Sequence, residues 1–162
     1  MAYVMQIDGM TEISEMLNKM EEDAIKVAAG ALYVGAGMMA DELKKSAATI
    51  KTAPFQYARG GSRLPSPEEK EIVMQADVGI AKFDKNGGEV DTSVGFRNAG
   101  YAMLAGRKKP VPVIVNSINS GTSFMQKQPF VRKASNNGGK QAMEAMKAEI
   151  EKAFEAITNN KQ

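Results

Sequence analysis

The stretch EEDAIKVAAGALYVGAGMMADELKKSAA, Glu21–Ala48, decides the fold. Within it Ile25, Ala28, Ala29, Leu32, Ala36, Met39 and Leu43 recur at three- and four-residue steps. That spacing puts all seven on one face of an α-helix about 35–40 Å long. The acids Glu21, Glu22 and Asp23 open the pattern. Small residues crowd part of it: Ala28, Ala29, Gly30 and Ala31, then Gly35, Ala36 and Gly37. A glycine inside a helix costs about 0.5–1 kcal/mol relative to alanine, so this density predicts a neighbour whose backbone comes close. Two neighbours fit, the domain's own sheet or another subunit.

Towards the N-terminus, Tyr3–Ile7 alternates and reads as a short strand broken by Asp8-Gly9. Thr11 then stands as the N-cap of a helical pattern carrying Ile13, Met16, Leu17 and Met20. Towards the C-terminus, Ala53-Pro54 closes the long helix. Phe55–Glu69, with two Gly, two Ser and two Pro, reads as a long flexible loop at about 55–70. The carboxylates Glu68, Glu69 and Glu71 read as solvated. Ile72–Phe83 and Glu89–Phe96 read as two strands around Asp84-Lys85-Asn86-Gly87-Gly88, since Asn-Gly there signals a hairpin. Their buried face is Val73, Val78, Ile80, Phe83, Val90, Val94 and Phe96.

Arg97–Pro112 is a second polar stretch containing the basic cluster Arg107-Lys108-Lys109. Val111, Val113, Ile114, Val115 and Ile118 fit a strand or a short helix equally. From Gly139 to about Ile157 the pattern is again helical, with Met143, Met146, Ile150, Ala153, Phe154 and Ile157 on one face. Of the 12 methionines, Met38, Met39, Met143 and Met146 fall on helix faces and are expected in the core. Met103 and Met125 fall in loops, where a thioether suits an adaptable contact surface. The expected architecture is one α+β domain over residues 1–162. A small antiparallel sheet packs against a long N-terminal helix and a C-terminal amphipathic helix.

Absences restrict function. The 162 residues contain no His and no Cys, which removes imidazole bases, His-centred triads, thiolate nucleophiles, thiolate zinc sites and disulfides. No cofactor and no metal is expected, and no enzymatic activity. MAYVMQIDGM has neither the basic nor the apolar region of a signal peptide, and no window reaches the roughly 20 apolar residues of a membrane span. A soluble cytosolic product is expected. With 21 basic and 19 acidic residues the net charge is +2, which carries no general affinity for nucleic acid. Residues 1–52 hold eight acids and five bases, so the remainder of the chain carries +5. Tyr57, Arg59, Gly60, Gly61 and Arg63 mix aromatic, basic and flexible residues in a way that can hold single-stranded nucleic acid. A mobile protein-contact loop reads the same way.

One further motif, NSGTSFMQKQPFVRKA at Asn119–Ala134, has its own chemistry. Gly121 suits a positive φ, Thr122 can bond back to the backbone, and Pro129 fixes an extended approach. Phe130 then anchors in the core or in a neighbour, and Arg132 faces a carboxylate or carbonyl. Together with MQIDGMTEISEML and GMMADELKKSAATIKTAP, this motif resembles the tail-completion proteins of long-tailed bacteriophages, also called head–tail joining or minor tail proteins. The matching positions are Gly9, Met10, Ile13, Met16 and Leu17; Lys44, Lys45, Ala53 and Pro54; and Gly121, Thr122, Pro129, Phe130, Arg132 and Ala134.

The resemblance implies a structural virion protein of the tail neck, made in the bacterial host cytoplasm. It implies a homo-oligomer, a hexameric ring between the head connector and the tail-tube or tail-terminator proteins, near passing DNA and away from membranes. The expected partner contacts are Gly121, Thr122, Phe130, Arg132, Arg107, Lys108, Lys109, Tyr57 and Arg59. A tail-terminator ring protein is the nearest alternative. A small nucleic-acid-binding protein using residues 57–63 and 107–109 is the alternative from another class.

Overall fold

A computed structural model of the chain describes residues 4–6, 22–54, 62–82, 84–86, 89–96 and 99–159. In chain order the elements are β1 (Val4–Gln6), α1 (Glu22–Ala48), α2 (Pro67–Gln75), β2 (Gly79–Ile80), β3 (Asp84–Asn86), β4 (Glu89–Asp91), β5 (Ser93–Gly95), β6 (Tyr101–Leu104), β7 (Arg107–Pro110), α3 (Val111–Ser120) and α4 (Phe130–Asn159). The class is α+β, as the sequence leads one to expect. A three-stranded antiparallel sheet runs in the order β1-β5-β2, with Val94 opposite both Met5 and Ile80. Two separate hairpins, β3–β4 and β6–β7, complete the strands.

The body is an antiparallel pair formed by α1 and α4. Gly35 of α1 lies against Met146 of α4, and Gly138 of α4 lies against Met39 and Glu42 of α1. Farther along, the buried Ser46 hydroxyl donates to the Phe130 carbonyl at 2.7 Å. A Cβ on Gly35 would sit 2.7 Å from the Met146 side chain, and one on Gly138 3.0 Å from Glu42. The close neighbour predicted for the small residues is therefore the C-terminal helix, not the sheet. Gly30 and Gly37 meet nothing within 4 Å, so they take no part in that approach.

Of the seven stripe residues, Ala28, Ala29, Leu32, Ala36, Met39 and Leu43 are buried as the spacing demands, and Ile25 is half-buried. Met38 points the other way and is exposed, contrary to its expected core position. Sheet and helices close over one core, in which Met39 and Leu43 join Val73, Val94, Phe96, Ile118, Met125 and Phe130. Phe96 and Phe130 meet edge to face, centroids 6.3 Å apart. Leu32 and Met146 form a second cluster with Ala31 towards the other end of the helix pair.

Three expectations are corrected. Residues 67–75 are helix, so the long loop at about 55–70 ends earlier and Ile72 and Val73 belong to no strand. The cause is a capping box that the composition hides. The Ser66 hydroxyl accepts the Glu69 N–H at 3.1 Å, and the Glu69 carboxylate accepts the Ser66 N–H at 2.8 Å. Pro67 occupies the first helical turn, where its missing N–H costs nothing. Ile80, expected in the core, is exposed on β2. Arg97–Pro112 is not simply a polar stretch, because Tyr101–Pro110 forms a β-hairpin turning at Ala105-Gly106, both with positive φ.

The ambiguous segment at Val111–Ser120 is a helix burying Val111, Ile114, Val115 and Ile118. The last helix begins at Phe130, well before Gly139. Asp84–Asn86, expected within the turn, is itself a strand paired with Glu89–Asp91, so the hairpin is offset from the expected Ile72–Phe83 strand, and Gly87 and Gly88 lie outside the described residues. The helical pattern at Thr11–Met20, and Phe83, lie outside the described residues. Among the described residues no helix is long and apolar enough to cross a membrane.

Candidate functional site

Three surfaces hold the candidate residues. The first is the turn between α3 and α4. Gly121 ends α3 at φ 76° and ψ 170°, a conformation closed to residues with a Cβ. A Cβ there would also lie 3.0 Å from the Lys127 backbone nitrogen. Thr122 and Met125 exchange backbone hydrogen bonds, and the Thr122 hydroxyl accepts the Phe124 N–H at 3.4 Å. The chain then runs into α4, whose second residue, Val131, donates its N–H to the buried Asn119 side chain at 3.1 Å. Phe130 is 3 % exposed, so of its two readings the core anchor is correct. Met125, expected in a loop contact, is buried as well.

This turn also organises the chain after α1. Arg63 pairs with it through backbone bonds to Phe124 and Gln126, each 2.8 Å. The Arg63 guanidinium forks onto Glu69 through two contacts of 2.7 Å. Burial raises the Glu69 pKa, but bonds from Arg63 and Ser66 overcome it and hold the carboxyl below its ordinary value. Glu69 is thus a buried structural partner and not a solvated acid. Arg63, expected beside Tyr57 and Arg59 on a nucleic-acid or contact loop, is committed to the same pair. Tyr57 and Arg59 lie outside the described residues.

The second surface is the β6–β7 hairpin. Alternation puts Tyr101 and Met103 on one face, with Lys108 opposite Met103. Leu104 is on the other face and buried. Tyr101 is 66 % and Met103 60 % exposed, and the Lys108 ammonium lies 5.1 Å from the Tyr101 ring centroid. Arg107 and Lys109 are exposed too. The sequence picks out the three cations but misses the aromatic–thioether face beside them. An alternating Tyr-x-Met before Ala-Gly is the signal that could have revealed it.

The third surface is an open groove of about 700 Å³ where the end of α1, the 126–129 segment and the start of α4 meet. Its rim carries Lys51, Lys127, Arg132 and Lys133, with the amides Asn136 and Asn137. No acid lines it among the described residues. Its walls are rigidly tied. Gln128 bonds both backbone groups of Lys51 at 2.8 Å, and Lys70 closes the last turn of α1 through Ala48 and Ile50. The Lys133 ammonium donates to the Thr49 hydroxyl at 3.2 Å. Arg132 is exposed and has no hydrogen bond or ion pair among the described residues, so the carboxylate or carbonyl expected to face it is not in this chain's described part.

The groove gathers Phe130 and Arg132 with Lys127, which lies against Gly121, whereas Arg107, Lys108 and Lys109 belong to the separate hairpin. Among the described residues no three Asp or Glu cluster as a metal site would require. The hairpin surface is amphipathic and the groove basic. No family model, no curated protein and no solved structure matches the chain.

Proposed function

We propose that this chain is a structural subunit of a phage neck, a tail-completion protein joining head connector to tail as a ring of identical subunits. The observation that carries the reading is the β6–β7 hairpin. A soluble monomer has no use for an anchored hairpin that holds Tyr101 and Met103 out in water beside three cations. An assembly subunit does, because such a face buries its apolar atoms against a neighbour while the cations choose the partner's sign. The order of the Gly121–Ala134 motif supports the same reading: its turn and Phe130 are committed to a rigid platform that leaves Arg132 outward. Residence in the virion follows from this role.

The test is complementation. A phage lacking this gene is supplied with wild-type protein or with the Tyr101→Ser/Met103→Ser/Lys108→Ser variant. The wild type restores joined particles, and the variant, although folded, leaves heads and tails separate under the electron microscope. Full restoration by the variant would remove the hairpin from the joint. A gene placed away from head-connector and tail-tube genes would count against the neck assignment itself.

A further inference from the structure

We propose that the groove at the α1–α4 corner binds the phosphodiester backbone of duplex nucleic acid, without reading its bases. The net charge of +2 conceals how the chain distributes its sign. Residues 43–67 hold five bases and no acid, and residues 92–143 hold eight bases and no acid. Every described residue lining the groove comes from one of these two stretches. Packing α1 against α4 therefore brings basic chain onto basic chain, and Lys51, Lys127, Arg132 and Lys133 are left exposed around one opening. Glu42, which lies against Gly138, next in sequence to the lining residue Asn137, is paired with Lys45 at 3.7 Å.

Like charges gathered in this way repel one another, and the helix adds to the repulsion. Arg132 and Lys133 stand in the first turn of α4, the end of a helix dipole that disfavours cations, and no acid shares that turn. The walls hold the cations in place: Gln128 bonds both backbone groups of Lys51, and the Lys133 ammonium is tied to the Thr49 hydroxyl. A polyanion laid across the opening relieves the repulsion and answers the dipole at once.

The donor set matches phosphate. Asn136 and Asn137 each follow a cation, Arg132 and Lys133, by one helical turn, so amide and cation share a ridge. Lys140 is exposed and continues the Asn136 ridge by a further turn. Cations and side-chain amides are the groups that contact phosphate and sugar oxygens. Bases are left unread, because Phe130, the one aromatic among the described lining residues, is buried and offers no face for stacking. A duplex, whose bases are already stacked, therefore suits the groove better than a single strand. An acidic protein is the poorer fit. Protein contacts close around an exposed apolar centre, and here Ile50 and Phe130 are buried and Leu64 is half-buried. Binding of this kind does not depend on the assembly role of the hairpin.

Fluorescence anisotropy of a labelled 30-base-pair DNA duplex tests this on the full chain. Contacts from four cations give a slope of about −3.6 in log affinity against log salt, so binding should weaken about 150-fold between 50 and 200 mM NaCl. Two duplexes of unrelated sequence should bind alike. A matching RNA duplex is run beside them; binding of either with that slope meets the expectation, and the tighter one names the source. Arg132→Gln/Lys133→Gln should keep the wild-type melting temperature, bind about 10-fold or more weakly at 50 mM NaCl, and flatten the slope by about 1.8. Should that variant fail to fold, Lys51→Gln/Lys127→Gln replaces it with the same expected change. Replacing Arg107, Lys108 and Lys109 with Ser should leave the slope as in the wild type. A wild type that leaves both duplexes free at 50 mM NaCl overturns the proposal. So does a groove variant that binds like the wild type, or a loss of binding that follows the hairpin variant instead. Tighter binding of a 20-residue polyglutamate peptide than of either duplex also overturns it, and would give the groove to an acidic protein.

Discussion

The α1–α4 pair and the β6–β7 hairpin use the same residue types to opposite ends. In the helix pair, Met39 and Met146 are buried, and elsewhere in the same body the cation of Arg63 is locked onto Glu69. On the hairpin, Met103, Arg107, Lys108 and Lys109 are all left in water. The difference is the number of partners that tertiary structure supplies. A buried side chain has its contacts inside the chain, so changing it alters folding. An exposed one has its contacts elsewhere, so changing it alters assembly and leaves folding nearly untouched.

The largest expected effect breaks the helix-pair side. Phe130→Ala removes the ring packed on Phe96 and should destabilise the subunit by about 3–5 kcal/mol, measured by urea unfolding. A change below about 1 kcal/mol would mean that the ring is not core. Next comes the ion pair. Glu69→Gln strands a partly buried guanidinium and weakens the capping box, and should cost about 3 kcal/mol at neutral pH.

Its pH dependence has a definite sign. The folded pKa of Glu69 lies below the ordinary value of 4.5, so its contribution is complete above that value and disappears as pH falls through the folded one. Melting temperatures of wild type and variant should therefore differ at pH 7 and converge in acid. A gap that stays constant would assign the loss to packing alone.

Gly121→Ala sharpens the comparison at the joint between the regions. A φ of 76° with ψ 170° and the approach of Lys127 should together cost about 2 kcal/mol, whereas Gly37→Ala, in open space, should be neutral or stabilising. Equal effects at the two glycines would deny the strain. The smallest effect is on the hairpin. Replacing Arg107, Lys108 and Lys109 with Ser should shift unfolding by less than about 0.5 kcal/mol while reducing particle yield in a salt-dependent way. Normal particle titre from this variant would make the basic strand a solvated one.

How much of this was legible follows from where each signal resides. The α1 register was readable because seven apolar positions keep to one 3.6-residue period within the element itself. Local chemistry likewise announced Gly121. The capping box at Ser66–Glu69 was also local, yet the surrounding Gly, Ser and Pro masked it as loop. The β6–β7 hairpin was hidden because its outward face is apolar and its paired strand is basic, which inverts the usual alternation. The groove could not be read at all: Lys51 is far in sequence from Lys127 and Arg132, and they meet only when α1 and α4 pack.

The sequence by itself determined the class of the fold, the buried stripe of α1, the start of that helix and its end near Ala48, and the exclusion of thiol and imidazole chemistry. Each of these depends on residue identity or on spacing within one element. Only the tertiary structure decided that Gly35 and not Gly37 is the close approach, that Phe130 points inward and Arg132 outward, and that Glu69 is a buried partner. Those outcomes depend on which elements pack together. The free energy that selects them comes from long-range burial and pairing, which no local window of sequence contains.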